Sequence, residues 1–276
     1  MSVIDKIKYH FSNETLRAPE ASGDSFTIVS YNARCLAKSD KGERSWFVRA
    51  PLFLQTVAAL APDLFCAQEI TRTHFRYLSS RLKDYGVVMR YRDGGKSAEA
   101  CPIFYSKNRF ALLDGGTFWL SETPEKVSKS WDSWHHRIAT FATLKDLVTG
   151  KIFTVYNAHP DYREVEIRKN QLAVVAERIK GKESASIVLG DLNAPKEDAA
   201  LSPFVERLKD SKDFTGETFG ATFNGFGSVD SDDALNGIDF IFLPKQAIVE
   251  KTGVVKSVPN GVYPSDHFPI FAKVRL

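Results

Sequence analysis

The chain has 276 residues, an apolar fraction of 43%, and 37 basic against 34 acidic side chains, for a net charge of +3. That much apolar material suffices for a full core, and the near-balanced charge permits a nucleic-acid partner without demanding one. Cys35, Cys66 and Cys101 are scattered with no paired spacing, which argues against a zinc site or a disulfide framework. No run of about 18 apolar residues marks a membrane span.

Residues 1–23 read as an appendage closed by the linker Ala18-Pro-Glu-Ala-Ser-Gly23. They are polar and lack the apolar segment of a secretory signal, so a cytoplasmic address is the default expectation. Residues 24–276 read as one domain. A strand over 25–31 ends at Asn32, a helix over 46–60 is stopped by Pro62, and a buried strand over 63–67 runs into Gln68-Glu69. A second helix follows over 71–83, then strands over 86–91, 100–105, 137–144 and 152–157. Residues 163–180, closed by Gly181, predict an amphipathic helix with Val165, Leu172, Val175 and Ile179 on one face. A strand at 187–189, a helix over 198–208 and two strands read as paired, 237–243 and 269–276, complete the chain. Strand–helix–strand units early and adjacent strands later favour an α/β fold of two packed sheets covered by helices.

Polar residues recur where these strands end. Asn32, Glu69, His159, Asp191 and Asn193 each follow an apolar run, and Asp239 lies inside Gly237-Ile-Asp-Phe-Ile. Asn and Asp at a strand end are commonly turn residues. A carboxylate flanked by Ile238 and Phe240 is different, because a buried acid is seldom left unpaired. Strand ends converge on one rim of a sheet, so residues distant in sequence can meet there. Ser265-Asp266-His267 adds a further oxygen beside an imidazole. Several oxygen ligands with two imidazoles is what a hard cation and a phosphate need, which points to metal-assisted hydrolysis of a phosphate ester.

With those residues in place, the chain resembles the endonuclease/exonuclease/phosphatase superfamily, the DNase I-like fold, from about residue 27 to residue 276. The supporting strings are Val29-Ser-Tyr-Asn-Ala-Arg34, Gln68-Glu69, Asn157-Ala-His-Pro-Asp161, Gly190-Asp-Leu-Asn193, Ile238-Asp-Phe-Ile241 and Ser265-Asp-His-Phe-Pro269, in the family's order. Cys101-Pro-Ile-Phe-Tyr105, Thr117-Phe-Trp-Leu-Ser-Glu-Thr-Pro124 and Ala221-Thr-Phe-Asn-Gly-Phe226 look like a bacterial subgroup near the deadenylase and nocturnin branch. The resemblance implies a four-layer α/β/β/α sandwich of two packed mixed sheets. It makes Glu69 the main Mg²⁺ ligand, with Asn32 and Asp266 completing the site; Mn²⁺ would also fit. It makes Asp191 the group that orients or deprotonates water, with Asn193 holding that water and a phosphate oxygen. His159 and His267 would contact the scissile phosphate. Two carboxylate–histidine pairs are expected, Glu99 with His159 and Asp239 with His267. Substrate contacts are expected from Asn157, Arg137, Asn224 and Phe226.

Arg168 and Gln171 share a helix face and read either as support for the loop after His159 or as solvated surface. Trp119, Trp131, Trp134 and Phe226 are candidates for an aromatic wall, with core packing the better reading of Trp119. The strings of inositol polyphosphate 5-phosphatases and the tyrosine segment of abasic-site endonucleases are missing. The expectation is therefore a metal-dependent phosphodiesterase of nuclease type acting on nucleic acid or nucleotides, as a monomer. The alternatives are a phosphatase or sphingomyelinase-like phospholipase on a sugar phosphate or phospholipid, and a non-catalytic binding module on the same fold.

Overall fold

The computed structural model describes Tyr9 and residues 15–96, 98–216 and 218–276. Its strands in chain order are β1 (Leu16–Arg17), β2 (Phe26–Asn32), β3 (Leu64–Gln68), β4 (Leu82–Lys83), β5 (Tyr85–Val88), β6 (Ile103–Ser106) and β7 (Phe110–Trp119). They continue with β8 (Ile138–Asp146), β9 (Ile152–His159), β10 (Ser186–Asp191), β11 (Lys209–Asp210), β12 (Asp239–Leu243), β13 (Ile248–Val254) and β14 (Ile270–Arg275). The helices are α1 (Trp46–Leu60), α2 (Arg72–Arg81), α3 (Val165–Ile179), α4 (Ser202–Arg207) and α5 (Ser211–Thr215). One sheet has the order β13-β14-β2-β3-β6-β5 and the other β11-β12-β10-β9-β8-β7. Both are mixed, because β2 runs parallel to β3 and β9 parallel to β10 while the remaining pairs are antiparallel.

Strand alternation divides the apolar residues among three layers. Ile28, Leu64, Cys66, Ile103 and Ile270 from the first sheet meet Leu144, Val155, Ile187, Leu189 and Ile241 from the second in one buried cluster. The intervening residues turn outward. Val29, Tyr31 and Phe65 pack under Trp46, Phe53, Tyr77 and Leu78 of α1 and α2. Tyr156, Val188, Phe240 and Phe242 pack under Leu172, Val175 and Ile179 of α3 and Phe204 of α4. The result is the helix–sheet–sheet–helix order that the sequence led us to expect.

Several expectations need correction. The strands at 237–243 and 269–276 do not pair with each other: β12 lies between β10 and β11, whereas β14 lies between β13 and β2. β7 and β13 went unread. Both carry bulges and half-exposed stretches, with glycines at 115, 116 and 253, so neither presents an unbroken apolar run. Val165 is exposed, and Ile167, Arg168 and Gln171 join Leu172, Val175 and Ile179 on the buried face of α3. The helix read over 198–208 is a short 3₁₀ turn, capped by the Asp198 carboxylate, followed by α4. Of the appendage, residues 1–8 and 10–14 lie outside the described residues. Leu16-Arg17 pairs in parallel with Leu82-Lys83, and the carbonyls of Ala18, Pro19 and Gly23 accept bonds from Asn108 and Arg109.

Candidate active site

The same alternation that builds the inter-sheet core aims the polar strand ends inward. Along β9, Phe153 and Val155 enter the core, and two-residue steps then bring Asn157 and His159 to the same side. Along β10, Ile187 and Leu189 are followed by Asp191, which stands opposite Asp239 in the antiparallel register with β12. Ile28 and Ser30 lead likewise to Asn32 on β2. All these ends reach one rim, where the two sheets part. Gly190 is required there: its φ is 138°, and a Cβ would lie 2.0 Å from the Ala158 carbonyl oxygen. Glu69 (φ 60°) and Asn193 (φ 52°) hold left-handed conformations that non-glycine residues seldom adopt, a kind of strain concentrated at functional sites.

One oxygen atom organises the cluster. Asp191 Oδ2 accepts Asn32 Nδ2 at 2.9 Å and lies 3.5 Å from His159 Nε2 and 3.6 Å from His267 Nε2. Asp191 Oδ1 accepts the Asn193 backbone N–H at 3.0 Å, and the Asn193 amide donates to the Pro160 carbonyl at 3.0 Å. The Asn32 amide also donates to Glu69 Oε1 at 3.2 Å, while the Cys35 N–H donates to Glu69 Oε2 at 2.6 Å. His267 Nδ1–H donates to Asp239 Oδ2 at 2.9 Å, and the Thr222 hydroxyl donates to the same oxygen at 2.6 Å. The expected Asp239–His267 pair is therefore present. It fixes the orientation of the ring and leaves Nε2 facing Asp191.

Electrostatics sort these groups by role. Burial alone would push the Glu69 carboxyl up; His159, the Cys35 N–H and Asn32 outweigh it and hold the pKa at about 2, so Glu69 is ionised. Burial opposes charge on His267, but Asp239 and Asp191 raise it to about 10, so its imidazole is cationic at neutral pH. Burial lifts Asp191 to about 7 against the pull of His267, with Asp239 and Glu69 adding to the rise. Burial and the neighbouring Arg137 guanidinium push His159 well below its usual value, and Arg137 donates to His159 Nε2 at 3.3 Å.

Glu69, His159 and Asp191 place ligand atoms within 4.8 Å of one another, and so do Asp191, Asp239 and His267. Glu69 Oε1 accepts the Asn32 amide and Oε2 the Cys35 N–H, and among the described residues no lysine or arginine forms an ion pair with Glu69 or Asp191. The ionised Glu69 carboxylate suits a hard divalent cation, with the Asn32 amide beside it turning Nδ2 to Glu69 and Asp191 while its Oδ1 accepts the Arg34 N–H at 2.9 Å. Asp266 stands beside this set rather than in it, with its Oδ2 3.5 Å from Arg34.

Three expected contacts turn out otherwise. Glu99 does not hydrogen-bond His159: Arg92 captures its carboxylate in a two-pronged pair at 2.7 and 2.8 Å, although Glu99, Arg137 and His159 border the same small cleft. Asn157 is fully buried and joins the sheets. Its Oδ1 accepts Gln68 Nε2 at 2.8 Å, and its Nδ2 donates to the carbonyls of Ala67 and Pro102. Asn224 braces the loop ahead of the second histidine, with its N–H on the Asp266 carbonyl at 2.7 Å and its amide on the Ser265 carbonyl at 3.3 Å. Phe226 is half-buried, its ring flanked by Arg44 and Arg49. Trp119 is core, donating from Nε1 to the Arg92 carbonyl.

Arg168 and Gln171 brace the loop after His159. Gln171 Oε1 accepts the Asp161 N–H at 2.7 Å, and Arg168 bonds the Asp161 carbonyl while pairing with Asp198. Sequence reasoning passed over Arg49 and Thr222. Arg49 is fully buried and donates to the carbonyls of Ala33 (3.0 Å) and Pro264 (2.7 Å), which ties the loops of Asn32 and Asp266 to α1. Its signal was a cation on the apolar face of a helix, three residues after Trp46 and four before Phe53.

The description Endonuclease/Exonuclease/phosphatase family matches residues 29–267. A solved endonuclease/exonuclease/phosphatase from Bacteroides vulgatus is 30% identical, with a TM-score of 0.85 over 91% of this chain and 99% of its own. A mannosyl-6-phosphatase from Bacteroides thetaiotaomicron is 29% identical, with a TM-score of 0.80 over 91% of this chain and 100% of its own. The 3'-5'-exoribonuclease subunit Ccr4 of the CCR4-Not complex of Candida albicans is 23% identical over 96% of this chain and 43% of that protein, so the chain spans less than half of that relative's length.

Proposed function

The chain belongs to the Endonuclease/Exonuclease/phosphatase family, and from that premise we propose that it is a divalent-metal-dependent phosphodiesterase of nuclease type. Its substrates in this reading are phosphate esters of nucleic acid or nucleotides, cleaved by in-line attack of water. The observation that carries it is the convergence of two imidazoles and an amide on Asp191 Oδ2.

Glu69 and Asn32, with Asp266 alongside, would hold the cation. An all-oxygen set of this kind suits Mg²⁺ and also accepts Mn²⁺. When bound, the cation neutralises charge on a phosphate oxygen. Asp191 sits close enough to its titration range at neutral pH to receive the proton of the attacking water. Asn193 and Asn32 fix the orientation of Asp191 through its two oxygens. Cationic His267, held by Asp239, offers its Nε2–H to the charge developing on the phosphoryl group. Arg137 supplies a second fixed positive charge beside His159.

A second reading, a phosphatase acting on a sugar phosphate, is supported by the likeness to the mannosyl-6-phosphatase. Rates on bis-p-nitrophenyl phosphate and p-nitrophenyl phosphate, measured with Mg²⁺ and with chelator, separate the two. Metal-dependent preference for the diester is expected. Preference for the monoester would favour the sugar-phosphate reading, and equal rates with chelator would overturn the role given to the cation.

A further inference from the structure

Outward of His159 the rim carries side chains that the phosphoryl site does not use. Tyr162 is 55% exposed and Trp134 is 63% exposed. The Arg137 guanidinium lies between the two regions, 3.3 Å from His159 Nε2 and 5.8 Å from the centroid of the Tyr162 ring. Arg137 is itself buried, its Nε has no partner, and among the described residues it forms no ion pair. The Glu99 and Asp161 carboxylates feel its charge without contacting it, so its guanidinium has no direct anionic partner and is suited to an anion delivered from outside. Beside it, Arg163 lies 3.8 Å from the centre of the Trp134 ring.

The loops that carry these aromatics are tied to each other. Asp161, only 1% exposed, accepts the Ser133 hydroxyl at 2.8 Å and the Arg163 N–H at 2.9 Å. That carboxylate ties the loop bearing Trp134 to the loop bearing Tyr162. Exposed rings on joined loops at the mouth of a site present π faces to a ligand. Both Asp161 oxygens are already engaged, so the platform offers rings and cations rather than free acceptors for sugar hydroxyls.

We propose that Tyr162 is a base-stacking platform, with the substrate's phosphate at Arg137 and His159, the attached nucleobase on the Tyr162 ring, and the Trp134–Arg163 stack available to a neighbouring base. This assignment rests on the phosphodiesterase reading and specifies its substrate class as nucleoside phosphate esters.

The test compares the thymidine 5′- and 3′-p-nitrophenyl phosphates with methyl p-nitrophenyl phosphate, which share a leaving group and differ in the retained alcohol. Wild type is expected to favour a thymidine ester in kcat/KM. Tyr162→Ala should lower the thymidine-to-methyl ratio about 10-fold, chiefly through KM, whereas Tyr162→Phe should retain it, because base–ring stacking needs only the aromatic face. An unchanged ratio in Tyr162→Ala, with wild type active on these esters, would overturn the platform alone. A wild type inactive on all three esters would overturn the phosphodiesterase reading and the platform with it. Faster turnover of a hexose phosphate that Tyr162→Ala impairs would overturn the choice of a nucleobase.

Discussion

At position 239 an acid stands where a strand this apolar would ordinarily bury an aliphatic side chain, fully enclosed and flanked by Ile238 and Phe240. The Thr222 hydroxyl and the His267 imidazole satisfy its Oδ2, while its Oδ1 is buried without a hydrogen-bond partner, and its charge is what keeps His267 cationic. Asp239→Asn preserves shape and removes that charge. Turnover of a diester with metal present should fall by roughly 10²–10⁴-fold, the usual worth of an acid–base or charged partner; a rate equal to wild type's would remove the pair from the mechanism. Residues such as Asp239 and Asp191 could be read in the sequence because strand alternation alone aims them at the rim. Glu99, Asn157 and Asn224 looked equally available. Only packing reveals that Arg92, Gln68 and the Ser265 carbonyl have already engaged their polar atoms.

Among the elements, α2 begins with a capping box in which Thr71 and His74 bond each other reciprocally, and the His74 ring lies 4.0 Å from that of Trp46. Burial, reinforced by Arg49, lowers the His74 pKa to about 3. Above its unfolded pKa near 6.5, both states are neutral and the residue adds no pH dependence. Below it, the unfolded chain takes up a proton that the folded chain refuses, so stability declines with falling pH by up to about 1.4 kcal/mol per unit until the folded pKa is reached. His74→Gln should therefore lose about 2 kcal/mol less than wild type between pH 7 and pH 5 in urea unfolding. Equal losses would contradict the neutral assignment. Helical spacing alone does not reveal that Trp46 of α1 covers the face of α2 that carries His74. The buried elements α1, β3, β9 and β10 were legible by contrast, since a continuous apolar run marks a buried strand and a 3.6-residue stripe a covered helix. The edge strand β13 and the bulged β7 carry neither mark.

Across the whole molecule, the two sheets bring their polar ends to one rim, and the sheet interface itself holds them in register. Gln68 and Asn157 join the sheets through side-chain amides just below the site, and Arg49 ties α1 to the loops of Asn32 and Asp266. Because β12 belongs to the second sheet and β14 to the first, the Asp239–His267 pair spans them, and Asn32 to Asp191 does the same. A long-range assembly of this kind leaves no local trace in sequence beyond the order of its motifs. In the proposed function Asp191 is the point where both sheets meet the substrate, and the most direct test is the turnover of bis-p-nitrophenyl phosphate by Asp191→Asn with metal present. A loss of at least about 10²-fold is expected, with the unfolding midpoint essentially retained. Near-normal turnover by a folded Asp191→Asn protein would contradict it.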